Sequence, residues 1–370
     1  MAWVGGGAEG DAPQGLGREG QDALLALVAL DQIAFLMHHV WSEMVFEPTP
    51  GQLSAGGDVE DGYLCETIEV LEGSASNQIP PHVQQLTVDD RTFALGPQAR
   101  LLGALMDYLD LADARPAVFE LGPLSGSQAF SAGPSTATSL VAFQVENVTE
   151  RLAREGFLLE SWHPDAGQER AVSAVAYVDA LVALSRARAR GFESNAIDQV
   201  LANAFRHLTG YFRQPEGDYA TRLSAAFGVE PGPKRLDVQL AVLRMLLLAA
   251  EAGGDAEVMG AADALWARLE TLWWDDDVGL WQSTLGLADY RYSSALFARA
   301  LDTARLAVRA GLPQAQTRLQ RVAQALMTHG RLGETWLSGE VDGAGDADGD
   351  GVPHFGAVGR PPVPVDQVVF

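Results

Sequence analysis

The feature that most constrains this chain is a helical one: apolar residues recur at three- and four-residue spacing in segment after segment, and the segments come in pairs. The stripes predict helices over Gln21–Met44, Thr92–Leu111, Ser135–Arg154, Arg170–Arg188, Ala196–Tyr211, Arg235–Ala252, Ala256–Leu272, Tyr292–Ala310 and Gln314–Thr328. Alanine, leucine and arginine fill them, residues that lose little side-chain freedom in a helix. Gly191, Gly253–Gly254 and Gly311–Pro313 close three of them. Strand signals are few. Tyr63–Leu71 alternates weakly, and short pieces near Leu223 and Leu285 read as small hairpins.

The connections alternate in length. They are tight from Arg188 to Ala196, Ala252 to Ala256 and Ala310 to Gln314, and long from Met44 to Thr92, Tyr211 to Arg235, Leu272 to Tyr292 and after Thr328. The gap from Arg154 to Arg170 is intermediate, and Leu111 to Ser135 is a longer exception on the tight side. This pattern predicts an all-α stack of antiparallel helix hairpins with its elaborate loops, and small β-hairpins within them, on one rim. The loops also repeat. Tyr211 to Gly217 to Tyr219 and Trp273 to Gly279 to Trp281 share one aromatic–glycine–aromatic frame, and Trp162 to Gly167 follows it in part. Glycine there suits a turn that needs positive φ.

Helix pairs joined by aromatic–Asp–Gly loops resemble the (α/α) toroids of the six-hairpin glycosidase superfamily, a group of glycoside hydrolases, polysaccharide lyases and sugar epimerases. The resemblance is architectural and runs from Gln21 to the end of the chain. The chain itself reads as a flexible leader over residues 1–20, a hairpin-repeat domain over 21–330, and a calcium-loop and Pro/Gly-rich tail over 331–370 that continues the same domain. The ring the resemblance implies is incomplete, so the expectation is a fragment, an open ring, or a ring completed by a second subunit or protein partner.

Charge narrows the partners. The 370 residues carry a formal charge of −24, and Lys234 is the only lysine. Such a chain repels phosphate backbones and anionic lipid, which argues against nucleic acid. The most apolar stretch, Ala23–Val40, holds Asp31, Gln32, His38 and His39, so it reads as a buried helix and not a membrane span. Cys65 is the only cysteine, which excludes an internal disulfide and a cysteine-based metal centre.

Two groups carry chemistry. Asp346, Asp348 and Asp350 followed by Gly351 fit D-x-D-x-D-G, in which alternate carboxylates converge on one hard cation, with Asp342, Glu340 or Asp366 as the source of a further oxygen. This loop resembles those of EF-hands, dockerins and thrombospondin type 3 repeats. Ala357 stands where an EF-hand has its bidentate glutamate, so the expected role is structural Ca2+. It suits an extracellular or cell-envelope bacterial protein. The second group is the long-loop rim. Glycoside hydrolysis uses two carboxylates and sugar rings stack on aromatic faces. The expected catalytic pair is Glu334 and Glu340, flanking Trp336. The expected glycan-stacking residues are Trp162, Tyr219, Trp281, Tyr292 and Trp336. Asp165, Glu216, Asp218, Asp276 and Asp277 are further acids on that rim, and His163 and His207 are the groups an epimerase would want. The reading is a carbohydrate-active toroid of hydrolase, lyase or epimerase type with a structural calcium site; the alternative is a non-catalytic, calcium-stabilised extracellular or envelope scaffold.

Overall fold

The computed structural model describes residues 67–73, 82–90 and 92–114, most of 129–329, and the backbone of short strands between 331 and 364. The expected helix Gln21–Met44, the leader and Asp346, Asp348 and Asp350 lie outside the described residues. Among the described residues eight α-helices follow one another: α1 (Leu95–Ala114), α2 (Ala129–Leu152), α3 (Ala174–Ala189), α4 (Asn195–His207), α5 (Leu236–Glu251), α6 (Ala256–Arg268), α7 (Ser294–Arg309) and α8 (Ala315–His329). They pack as α1 with α2, α5 with α6, and α7 with α8, while α5 also lies against α7. The chain folds as repeated antiparallel helix hairpins. α2 starts before Pro134, where the stripe alone places its start after it. A proline near the start of a helix forfeits only one backbone bond.

Every second helix of a pair runs directly into a tight β-hairpin. Ala153–Arg154 pairs with Phe157–Leu158, Arg213 bridges Tyr219, Trp274–Asp275 pairs with Leu280–Trp281, and Arg331–Leu332 pairs with Trp336–Leu337. Equivalent bonds close three of them: Leu159 N–H to the Leu152 carbonyl at 3.0 Å, Ala220 to Phe212 at 2.8 Å, and Gln282 to Trp273 at 2.8 Å. Gly156, Gly217 and Gly279 turn these hairpins at φ of 82°, 98° and 75°, a region that costs glycine nothing.

These bonds correct the register of the loop repeat. Phe212, and not Tyr211, is the equivalent of Trp273; both end a single wide π-helical turn, Leu208–Phe212 and Leu269–Trp273, and both are fully buried, whereas Tyr211 is exposed. The first member of the repeat is Leu152 to Leu158, not Trp162 to Gly167. An aromatic search passes over it because leucine fills the anchor position there.

After each hairpin the chain returns to the N-terminal end of a first helix. The Glu160 carbonyl accepts Leu95 N–H at 2.8 Å, Thr221 accepts Ala174 at 2.9 Å, and Ser283 accepts Leu236 at 2.9 Å. Beside these bonds run short antiparallel pairings, Phe93 with Trp162, Val172 with Leu223, Arg235 with Thr284 and Tyr292 with Val341. The long connections are therefore stitched, repeat by repeat, to the starts of the first helices. The piece near Leu223 also closes a local turn through Leu223 and Val229. Thr67–Gly73 pairs with His82–Asp90 as a separate ribbon, a longer strand pair than the weak alternation near Leu71 announces.

The described residues fall into two compact units. One comprises residues up to Glu169 with Val182–Leu201; the other comprises Arg170–Leu181 with Ala202 onward. In the second unit the core is aromatic. Trp281 lies edge-on to Trp266 and Trp274, with ring centroids 6.0 and 5.0 Å away. Trp266 donates to the Pro313 carbonyl at 2.8 Å, and the Tyr292 hydroxyl donates to the Trp281 carbonyl at 2.8 Å. Buried Gln239 clasps the Tyr219 backbone from both sides, accepting its N–H and donating to its carbonyl, each at 2.9 Å. Truncating any of these rings to alanine costs on the order of 3–5 kcal/mol.

Candidate functional site

The first helices of the second unit are mainly apolar, and the charges they carry near their starts are paired. On α3, Asp179 stands among Val178, Ala180 and Leu181, all buried. It holds Arg299 of α7 through both carboxylate oxygens, at 2.8 and 2.7 Å, and each side chain stays about a fifth exposed. Burial pulls the Arg299 guanidinium pKa down, but the bonds to Asp179 outweigh it and the net shift is upward; Asp237 and Asp302 add to the same field. Asp237, in the first turn of α5, is gripped by Arg235 at 3.1 and 2.7 Å, and it accepts Val238 N–H at 3.0 Å. Asp302 of α7 takes Arg244 of α5 at 2.5 Å and Arg305 at 2.7 Å. Burial raises the Asp302 pKa, and those two arginines more than reverse it.

The chemistry of this face follows from its pairing. Guanidinium forks and carboxylates are partly exposed and fixed in orientation by one another. Such groups recognise a polyhydroxyl ligand by donating to some hydroxyls and accepting from others. Among the described carboxylates, the one pushed upward is Glu270, and it sits elsewhere, on the wide turn after α6. Burial is the main cause, repulsion from Asp276 adds to it, and Arg318 opposes both. Arg318 pairs with Glu270 at 2.8 Å and lies over the Trp274 ring at 4.0 Å.

The sequence-derived residues divide. Trp162 is partly exposed in the strand Ser161–His163 and carries the Arg151 guanidinium over its ring at 4.5 Å. Tyr219, Trp281 and Tyr292 are at most 1% exposed and pack the core; in this structure they offer no face to a sugar, because their spacing served the hairpin anchors. Glu334 lies outside the described residues. Glu340 and Asp342 lie in the strand Glu340–Gly345, where Glu340 pairs with Ser293 and Asp342 with Gly356, and Trp336 lies in the second strand of the hairpin after α8, paired with Leu332. The strand Glu340–Gly345 pairs with His354–Ala357.

The remaining rim residues are occupied by the fold. Asp218 is wholly buried; it takes Arg268 at 2.7 and 2.6 Å, Lys234 at 2.8 Å and the Trp273 indole at 3.4 Å. Asp276 accepts the Trp274 indole N–H at 2.8 Å, and Asp277 donates its N–H to Asp275 at 3.0 Å within the turn. The His163 ring accepts Asp165 N–H at 3.1 Å, a turn-forming bond. His207 Nδ1 lies 3.1 Å from the Tyr177 hydroxyl in the core. Sequence reading missed Asp179, Asp237 and Arg299. Their signal was present as single charges inside apolar helical stripes, Tyr177-Val-Asp179-Ala-Leu181 and Phe297-Ala-Arg299-Ala-Leu301. No described helix is long and apolar enough to cross a membrane. No cluster of metal-ligating side chains occurs among the described residues.

No family model matches the chain, and no curated protein matches it. Solved structures do. A D-mannose isomerase superposes with a TM-score of 0.53 at 13% identity, over 69% of this chain and 65% of its own. A sugar epimerase from a ruminal bacterium gives 0.53 at 11%, over 70% and 67%. The cellobiose 2-epimerase of Bacillus thermoamylovorans gives 0.50 at 12%, over 67% and 64%. The chain thus spans less than two thirds of the mannose isomerase and of the cellobiose epimerase. These proteins have the six-hairpin glycosidase type of fold, and at such identities the likeness establishes for this chain the fold alone: helix hairpins of the (α/α)-toroid kind.

Proposed function

We propose that this chain is a carbohydrate-active protein that binds a sugar at the N-terminal halves of α3, α5 and α7. The observation that carries the reading is the Asp179–Arg299 pair with Arg235–Asp237 beside it. These are preorganised and partly open charges on helices that are otherwise mainly apolar. The fold supports it by analogy only, since one fold hosts many functions; the similar structures carry names of sugar isomerases and epimerases. The reaction belongs to the hydrolase, lyase or epimerase types. The test is incubation with a panel of reducing sugars in D2O, read by NMR for exchange at C2 and for epimer or ketose, alongside aryl glycosides and uronate polymers. Turnover of any of these supports the reading, and inertness toward all of them removes the catalytic part of it.

A second reading has its own support. Asp179, Asp237 and Asp302 are each already held by an arginine, as suits a non-catalytic extracellular or envelope protein that presents this face to a glycan. In both readings Asp342, Asp346, Asp348 and Asp350 hold a structural Ca2+ that stiffens the tail.

A further inference from the structure

Away from that face, a concavity of about 300 Å3 lies between the hairpin after α4 and the solvent side of α6. Its floor is small and apolar, made by Ala261, Ala264 and Leu265, and Arg213, Glu216 and Arg268 stand at its wall. Arg268 is held in place from behind. Its Nε and Nη2 donate to Asp218 at 2.7 and 2.6 Å, and Asp218 is wholly buried, so the guanidinium plane is fixed while Nη1 stays outside that pairing. Arg213 is exposed and makes no ion pair among the described residues. Glu216 is drawn to Lys234 at 3.8 Å, and Lys234 also bonds Asp218 at 2.8 Å. Two guanidinium groups and one carboxylate thus line the concavity, in a chain whose net charge is −24. Few places on such a protein attract an anion, and this one combines a fixed fork, a second guanidinium and an apolar floor.

We infer that this concavity is a binding site for a small oxyanion-bearing ligand, a carboxylate or phosphate ester on a body of about one ring. Its volume sits at the lower end of the ligand-pocket range, roughly 300 Å3 upward. The inference does not depend on the sugar site, since no residue is shared between them. The ring-sized floor takes the ligand body, the Arg213 and Arg268 forks take its charge, and Glu216 at the mouth disfavours ligands with several charges.

The experiment is calorimetric titration of the full chain with inorganic phosphate and, separately, with glucuronate, using mannose as a neutral control. Two variants on exposed positions report on the site. Arg213→Ala removes a fork, and Ala264→Leu fills the floor while suiting a helix. The expected result is binding of one or both anions and not of mannose at this site, weakened roughly tenfold by Arg213→Ala and abolished by Ala264→Leu, with melting temperatures unchanged. Response to phosphate alone assigns a phosphate ester, and response to glucuronate alone assigns a carboxylate. Failure of both anions to bind, or binding indifferent to both variants, overturns the inference.

Discussion

Asp179 on α3 holds Arg299 on α7 by a two-bonded fork across 120 residues of sequence, and it is the tie between first helices on which the proposed sugar face rests. Removing one partner strands the other. Because both side chains are about a fifth exposed, solvent relieves part of the cost, so Arg299→Met should destabilise by about 1–3 kcal/mol, below the loss for a fully buried pair. The urea midpoint measures it. The double variant Asp179→Leu/Arg299→Met should recover much of that loss, and simple additivity of the two single losses would show that the pair is not coupled.

Asp218 should be the most pH-sensitive acid of the hairpin after α4. Burial alone would raise its pKa; the bonds from Arg268 and Lys234 reverse that and hold it below the ordinary value. A carboxylate lower in the folded than in the unfolded state stabilises above the unfolded pKa and loses that contribution as pH falls through the folded one. Asp218→Asn should therefore cost about 3 kcal/mol at neutral pH, and the gap to the parent should shrink below about pH 4. Denaturant melts across pH 2–7 show whether the two curves converge.

His207 works in the opposite part of the scale. Burial, with the Arg206 charge second, pushes its pKa down to about 4 from 6.5, so the folded protein keeps the ring neutral beside Tyr177. The unfolded chain takes up the proton first. Stability is full above about pH 6.5, declines between 6.5 and about 4, and levels off below; the loss is at most about 3 kcal/mol. His207→Gln should flatten this decline, and a parent melting temperature that is constant from pH 7 to 4 would contradict it.

If the aspartate loop holds Ca2+, a chelator should lower the melting temperature and added Ca2+ should restore it, with a dependence on free calcium set by mass action. Asp348→Asn should raise the calcium needed for half of the effect. A melt that is the same in chelator and in saturating calcium removes the metal from the tail.

What the sequence revealed followed from what periodicity reports. The helix bodies from Leu95 to His329 agree with the stripes to within a few residues, except at the start of α2. The closing glycines Gly191, Gly253 and Gly311 stand at φ of 90°, 95° and 74°. The hairpins after the second helices were half visible, because Tyr219 and Trp281 marked two of them while Leu158 hid a third. The spacing identified these residues as important but not in which direction they face. An aromatic that closes a repeat is chosen to fill a gap under the next helix, as Tyr219 does beneath Gln239, and that need puts it inside. The polar face was missed for the converse reason. Asp179 and Arg299 lie far apart in the chain, and a single charge in an apolar stripe acquires meaning only when its partner is seen opposite.

The claim on which the account turns is that a sugar is met at the Asp179–Arg299 and Arg235–Asp237 face. Saturation-transfer NMR with a panel of mono- and disaccharides tests it most directly, comparing the parent with Asp237→Asn and with Ala264→Leu on the solvent side of α6. The account predicts a sugar signal that Asp237→Asn diminishes and Ala264→Leu leaves intact. No signal from any sugar, or a signal that Asp237→Asn leaves unchanged, would contradict it.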